Sequence, residues 1–182
     1  NKAPVAVAGK DRFVAEDTVV TFNGSGSYDT PSDMVLGLEY KWDFGDKNLT
    51  QWSHNASARH TYTAYGFYNV TLSARDDDLN VSSAAINVTV YNLKPVVNIT
   101  IGNLTGVEEE VLTFKGYAND TPSDQTTVKW RWIFGDGTFS DWSRDTSVTH
   151  AYAQQGVYKA MFLAQDQENM TDNSSVFVNI TN

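Results

Sequence analysis

The chain has no cysteine, only four prolines and three histidines, and few basic residues for its 182 positions. Without cysteine there is no disulfide framework, no thiol nucleophile and no thiolate zinc site. Thirteen Lys and Arg face twenty-two Asp and Glu, for a formal net charge of -9. That balance argues against nucleic acid and anionic membrane surfaces as partners, since both are recognised through basic patches. No apolar run approaches the ~18 residues of a membrane-spanning helix, so no direct membrane insertion is expected. A nucleophile elbow, a phosphate-cradling glycine loop and a His-rich metal motif are also missing. The many carboxylates come with no predicted cleft and carry no weight as an acid–base pair. These absences point away from an enzyme, and no cofactor is expected to be required.

What is present is a repeat. The string DTPSD occurs at Asp29–Asp33 and again at Asp120–Asp124. WDFGD at Trp42–Asp46 matches WIFGD at Trp132–Asp136, and His60-Thr61-Tyr62 matches His150-Ala151-Tyr152. Gly66-Phe67-Tyr68 matches Gly156-Val157-Tyr158, and all four prolines occupy paired positions. One supersecondary unit is used twice, with expected boundaries at residues 1–91 and 92–182. The second copy stops where a third would begin, so a segment of a longer array is expected. The short Tyr91–Lys94 linker leaves few residues free to flex.

Within each copy apolar residues alternate with polar ones. Tyr68, Val70, Leu72 and Ala74 interleave with Asn69, Thr71 and Ser73; Val97, Ile99 and Ile101 interleave with Asn98 and Thr100. A period of two with β-branched and aromatic residues, broken by Gly, Asn, Asp and Ser clusters, predicts half-buried strands. About seven short strands in roughly 90 residues predict a β-sandwich. Tyr40, Trp42 and Phe44, repeated as Trp130, Trp132 and Phe134, supply the expected aromatic core strand. The fold class is therefore all-β: two tandem immunoglobulin-like β-sandwiches.

The segments YKWDFGD, HTY and GFYNVTLSARD resemble the PKD (polycystic kidney disease) domain, and WRWIFGD, HAY and GVYKAMFLAQD resemble a second copy. Ile133 departs from the family's usual Asp, as seen in Asp43. The resemblance implies a PKD-type sandwich of the kind found in microbial surface-layer and other cell-surface proteins, with no intrinsic catalysis. It also implies that acidic groups near the DTPSD loop can bind Ca²⁺, which makes Asp29, Asp33, Asp43, Asp120 and Asp124 candidate ligands; turn initiation by Asp is the competing role. Asp76–Asp78 and Glu108–Glu110 are expected to be solvated loops.

Twelve of the fifteen asparagines begin Asn-x-Ser/Thr: Asn23, Asn48, Asn55, Asn69, Asn80, Asn87, Asn98, Asn103, Asn119, Asn169, Asn173 and Asn179. Roughly three would arise by chance at this Ser and Thr content. The motif is an N-glycan acceptor on the surface of a secreted protein, and strand alternation places Asn69, Asn87, Asn98 and Asn179 outward. On three strands of the second copy, outward polar positions have become apolar. Ile133, Met161, Leu163 and Phe177 replace Asp43, Thr71, Ser73 and the acceptor Asn87, while Lys159 replaces the acceptor Asn69. An apolar patch on a solvent face marks a contact surface, so these four residues are the expected partner interface. Contact between unlike faces would build an open head-to-tail filament of copies. His60 and His150 are expected in hydrogen-bonded turns. Trp52 and Trp142 are expected either to pack at a sheet edge or to stack on sugar.

Two functional expectations follow. The first is a heavily N-glycosylated, extracellular or cell-surface structural module pair of a surface layer, sheath or filament. The second is a binding or spacer accessory region of a larger secreted hydrolase or adhesin that recognises polysaccharide or protein.

Overall fold

The computed structural model describes residues 2–31 and 37–182, which divide into two compact units, Asn1–Asn92 and Leu93–Asn182. No helix occurs among the described residues. The first unit contains β1 (Arg12–Ala15), β2 (Val19–Asn23), β3 (Glu39–Asp43), β4 (Ser57–Thr61), β5 (Gly66–Arg75) and β6 (Val81–Tyr91). The second contains β7 (Val96–Ile99), β8 (Leu104–Val107), β9 (Val111–Asn119), β10 (Lys129–Ile133), β11 (Ser147–Ala151), β12 (Gly156–Gln165) and β13 (Thr171–Thr181).

Each unit is two sheets with one apolar core between them. In the first, the sheet β1-β6-β5-β3 faces β2-β4; in the second, β10-β12-β13-β8 faces β11-β9-β7. All neighbours are antiparallel except β1 with β6 and β8 with β13, where the short strand lies parallel to the last strand of its unit. Core side chains come from both sheets: Phe22 of β2 meets Trp42 of β3, and Phe114 of β9 meets Trp132 of β10. The alternation of β5 is reproduced as burial of Val70, Leu72 and Ala74 beneath outward Asn69, Thr71 and Ser73. This is the arrangement of an immunoglobulin-like sandwich, with the inner faces of the two sheets forming the core.

Buried polar atoms of the core rings are matched. Tyr62 Oη donates to the Phe44 carbonyl at 2.9 Å, and Tyr152 Oη donates to the Phe134 carbonyl at 2.9 Å. Tyr68 and Tyr158 donate to the carbonyls of Ala64 and Gln154, four residues upstream, both at 2.8 Å. These two close the corner before β5 and β12, as the Gly-x-Tyr motif predicts.

The FGD turn explains its own glycine. Gly45 and Gly135 adopt φ of +80° and +87°, and a Cβ there would sit 2.6 Å from the Asn69 carbonyl oxygen or 2.7 Å from that of Lys159. The hairpin after β3 or β10 thus lies directly on the backbone of β5 or β12, where only glycine fits.

Candidate functional site

The twelve acceptor asparagines are spread over loops and outward strand positions of both units. Asn23, Asn48, Asn55, Asn69, Asn87, Asn98, Asn103, Asn119, Asn169, Asn173 and Asn179 are exposed, and Asn80 is half-buried. On β5 and β6, Asn69 and Asn87 lie directly opposite each other. Directly opposed residues hold their Cβ atoms about 5 Å apart. Asn103 uses its Oδ1 to accept the Phe177 N–H at 3.1 Å, the task that Asp11 performs for Asn87 N–H at 2.8 Å in the first unit. Asn80 donates through Nδ2 to the Asp76 carboxylate at 3.1 Å.

The outward face of β10, β12 and β13 carries the four residues expected to form a partner interface. Ile133, Met161 and Leu163 are half-buried, and only Phe177 of the four proposed interface residues is exposed. Ile133 pairs with Met161, and Arg131 with Leu163. Two sequons are indeed lost at Lys159 and Phe177, which face each other, but the face is not free of acceptors. Asn173 lies directly opposite Leu163, and Asn179 lies opposite Val157. These cross-strand neighbours depend on strand register, which the position-by-position match of the two copies does not carry.

The candidate calcium residues fall into two groups, Asp29, Asp33 and Asp43 in the first copy and Asp120 and Asp124 in the second. Asp33 lies outside the described residues. Asp43 is on β3, where its Oδ1 accepts the Gly45 N–H at 2.9 Å, and Asp29 accepts the Thr30 N–H at 2.7 Å. Among the described residues no group of three or more His, Cys, Asp or Glu is arranged to hold a metal ion. Asp120 accepts the Thr121 N–H at 2.9 Å, and Asp124 is buried and accepts from Gln167 Nε2 at 3.3 Å. Burial, aided by the charges of Asp124, Asp166 and Glu168, raises the pKa of Asp120 above the ordinary aspartate range; burial and Asp124 do the same for Glu168. Asp76, expected to be solvated, is buried instead. Its Oδ1 accepts the Asn80 N–H at 2.8 Å and organises the β5–β6 turn, as Asp166 organises the β12–β13 turn through Met170 N–H at 2.8 Å.

The paired histidines lie on strands rather than in turns. His60 of β4 meets Asp46 at 2.7 Å and stacks on Phe44 with centroids 4.2 Å apart; His150 of β11 meets Asp136 at 2.7 Å and stacks on Phe134 at 3.9 Å. Each pair ties the FGD turn to the opposite sheet. Asp and His are fourteen positions apart in both copies, and that repeated spacing was the available sequence signal. Burial works against the charged form of Asp46, but hydrogen bonds from His60 and Asn48 outweigh it and hold the carboxyl below the usual range. Asp136 is likewise held low by Thr138 and His150 against burial. Trp52 carries the Arg75 guanidinium over its ring at 4.4 Å, and Trp142 carries that of Arg131 at 4.7 Å. One face of each indole is therefore already taken.

Comparison with known proteins agrees with this architecture. The family model described as PKD domain matches residues 1–90 and again 92–181. Collagenase ColA of Clostridium perfringens (strain 13 / Type A) is 32% identical over 96 residues, which cover 53% of this chain and 8% of that protein. Polycystin-1 of Homo sapiens is 28% identical over 148 residues, covering 81% of this chain and 3% of that protein. The chain thus spans less than a tenth of either relative. Among solved structures, the titin domains z1z2 in complex with telethonin align with 99% of this chain and 97% of their own at a TM-score of 0.51 and 13% identity, a likeness of fold alone.

Proposed function

We propose, from the premise that this chain belongs to the PKD domain family along both of its halves, that it is a glycosylated structural and spacer pair in an extracellular or cell-surface protein. PKD domains are non-catalytic binding or spacer modules. The observation that carries the glycan part of the reading is the placement of the acceptors, eleven of them exposed and none in either core. A glycan on an exposed strand position displaces no packing, whereas one at an inward position would have no room. Twelve such sugars on 182 residues would hydrate the surface and keep proteases off the backbone.

In its finer form the pair belongs to a surface layer, sheath or filament and meets further modules or copies of itself. Its formal net charge of -9 suits an exterior role rather than nucleic acid binding. The second reading, an accessory region of a larger secreted hydrolase, is favoured by the partial likeness to collagenase ColA.

The deciding measurement is the intact mass of the secreted chain, followed by glycopeptide mapping. Sugar on most of the twelve acceptors is the expected result; the bare polypeptide mass would overturn the glycan reading. Electron microscopy of native material separates the two roles, since ordered arrays support the layer or filament, and isolated particles carrying a catalytic domain support the accessory region.

A further inference from the structure

Four phenylalanines are exposed: Phe13, Phe67, Phe139 and Phe177. Two already have a partner on the ring. Phe13 stacks on Tyr91 with centroids 4.8 Å apart, and Phe139 lies under the Arg131 guanidinium at 4.9 Å. The other two share one local pattern. Phe67 is followed by Tyr68-Asn69-Val70-Thr71, and Phe177 by Val178-Asn179-Ile180-Thr181. Each is a phenylalanine two residues before a glycan acceptor, inside a continuous strand. Tyr117 repeats the pattern as an aromatic before Ala118-Asn119-Asp120-Thr121 at the end of β9.

Residues i and i+2 of a strand project from the same face, about 6.6 Å apart along it. Burial fixes which face this is. Val70 beside Asn69, Val178 between Phe177 and Asn179, and Ala118 between Tyr117 and Asn119 all point into the cores. The aromatic ring and the acceptor amide therefore stand side by side on the solvent face. As residues, Phe67 is 89% exposed, Phe177 53% and Tyr117 36%. Tyr117 has a second acceptor directly across the ladder, Asn98 on β7.

We propose that Phe67, Phe177 and Tyr117 are seats for the first sugar ring of the glycans on Asn69, Asn179 and Asn119. The inference rests on the proposal that these acceptors are modified. The chemistry follows from the two surfaces. A pyranose presents axial C–H groups on one face, and an aromatic ring presents a negative π-face that attracts them. A sugar joined to Asn Nδ2 is tethered within one ring-width of the aromatic, so stacking loses little freedom beyond the tether's torsions. The stacked sugar covers an otherwise wet ring and stiffens the base of the glycan. Phe177 is then filled by the chain's own glycan rather than by a neighbouring module. Acceptors without an aromatic two residues earlier, such as Asn23 after Thr21, lack a seat of this kind.

The test uses the full chain secreted from a glycosylating eukaryotic host, with glycopeptide mapping of Asn69, Asn119 and Asn179, and NMR of the first sugar on each. Stacking shifts its ring protons upfield relative to the sugar on Asn23, and Phe67→Ala removes the shift at Asn69 alone. Phe177→Ala does the same at Asn179. In melting experiments Asn69→Gln lowers the midpoint of the parent chain but not of the Phe67→Ala chain. Sugar present on these acceptors, with no upfield shift and with equal effects of Asn69→Gln in both backgrounds, overturns the seat and leaves the glycan reading intact. Bare acceptors overturn both.

Discussion

At the FGD turns, two neighbouring residues make opposite demands on the backbone. Gly45 has no room for a Cβ, because the Asn69 carbonyl oxygen would lie 2.6 Å away. Lys47 adopts φ +76° two residues on, where the second copy has Gly137 at φ +94°. Gly45→Ala is expected to lower stability by about 2 kcal/mol or more, and Lys47→Gly to raise it by about 0.5–1 kcal/mol, by relieving left-handed strain; urea unfolding of both variants checks the pair. The carboxylates of the same turns set the acid response. Asp46 and Asp136 have folded pKa values below those of the unfolded chain. Their contribution to stability is complete above the unfolded value of about 4 and disappears as pH falls through the folded values. The melting midpoint should therefore drop as pH is lowered below about 4, and a double Asp46→Ala, Asp136→Ala chain should start lower at pH 7 and fall less steeply. A parallel fall in both chains would remove the carboxylates as the cause.

At the scale of elements, the same docking job is done with different chemistry in the two copies. The start of the first copy is held where Ser82 Oγ accepts the Ala6 N–H at 3.0 Å. In the second copy Asp172 accepts the Val97 N–H at 3.3 Å and pairs with Lys94 Nζ at 2.6 Å. The Lys94 hydrogen bond is the largest influence holding Asp172 below the usual range. Because Lys94 is mostly exposed, Lys94→Ala should cost only a few tenths of a kcal/mol. Asp172→Ala should cost about 1 kcal/mol and Asp172→Ser much less, since serine restores an acceptor; thermal melts of the three variants rank them. The strands themselves were legible in the sequence because burial of one face imposes a period of two, which Tyr40, Trp42 and Phe44 display without interruption. The repeated corners at Tyr68 and Tyr158 were legible for the same local reason. Hidden from the sequence were contacts set by strand register, such as Asn173 opposite Leu163, while the packing of His60 against Asp46 across the sheets left only its repeated spacing as a trace. Alternation says which way a side chain points but not what stands beside it. The buried Asp76 was misread because its acidic neighbours Asp77 and Asp78 are solvated, and composition cannot separate a turn-organising carboxylate from those around it.

At the scale of the whole molecule, each unit draws its core from its own residues, with Trp42 and Phe22 at the centre of one and Trp132 and Phe114 at the centre of the other. Units of this size bury enough surface to fold alone, so fragments 1–92 and 93–182 are each expected to unfold cooperatively in circular dichroism melts; a fragment that melts without a transition would contradict the separate cores. The short strands β1 and β8 run parallel to the final strands of their own units, β6 and β13. Tension applied at a unit's two ends would pull these partners in opposite directions along their length. Their ladder hydrogen bonds would then be loaded together in shear, instead of opening one at a time like a zipper, and each unit would act as a mechanical clutch.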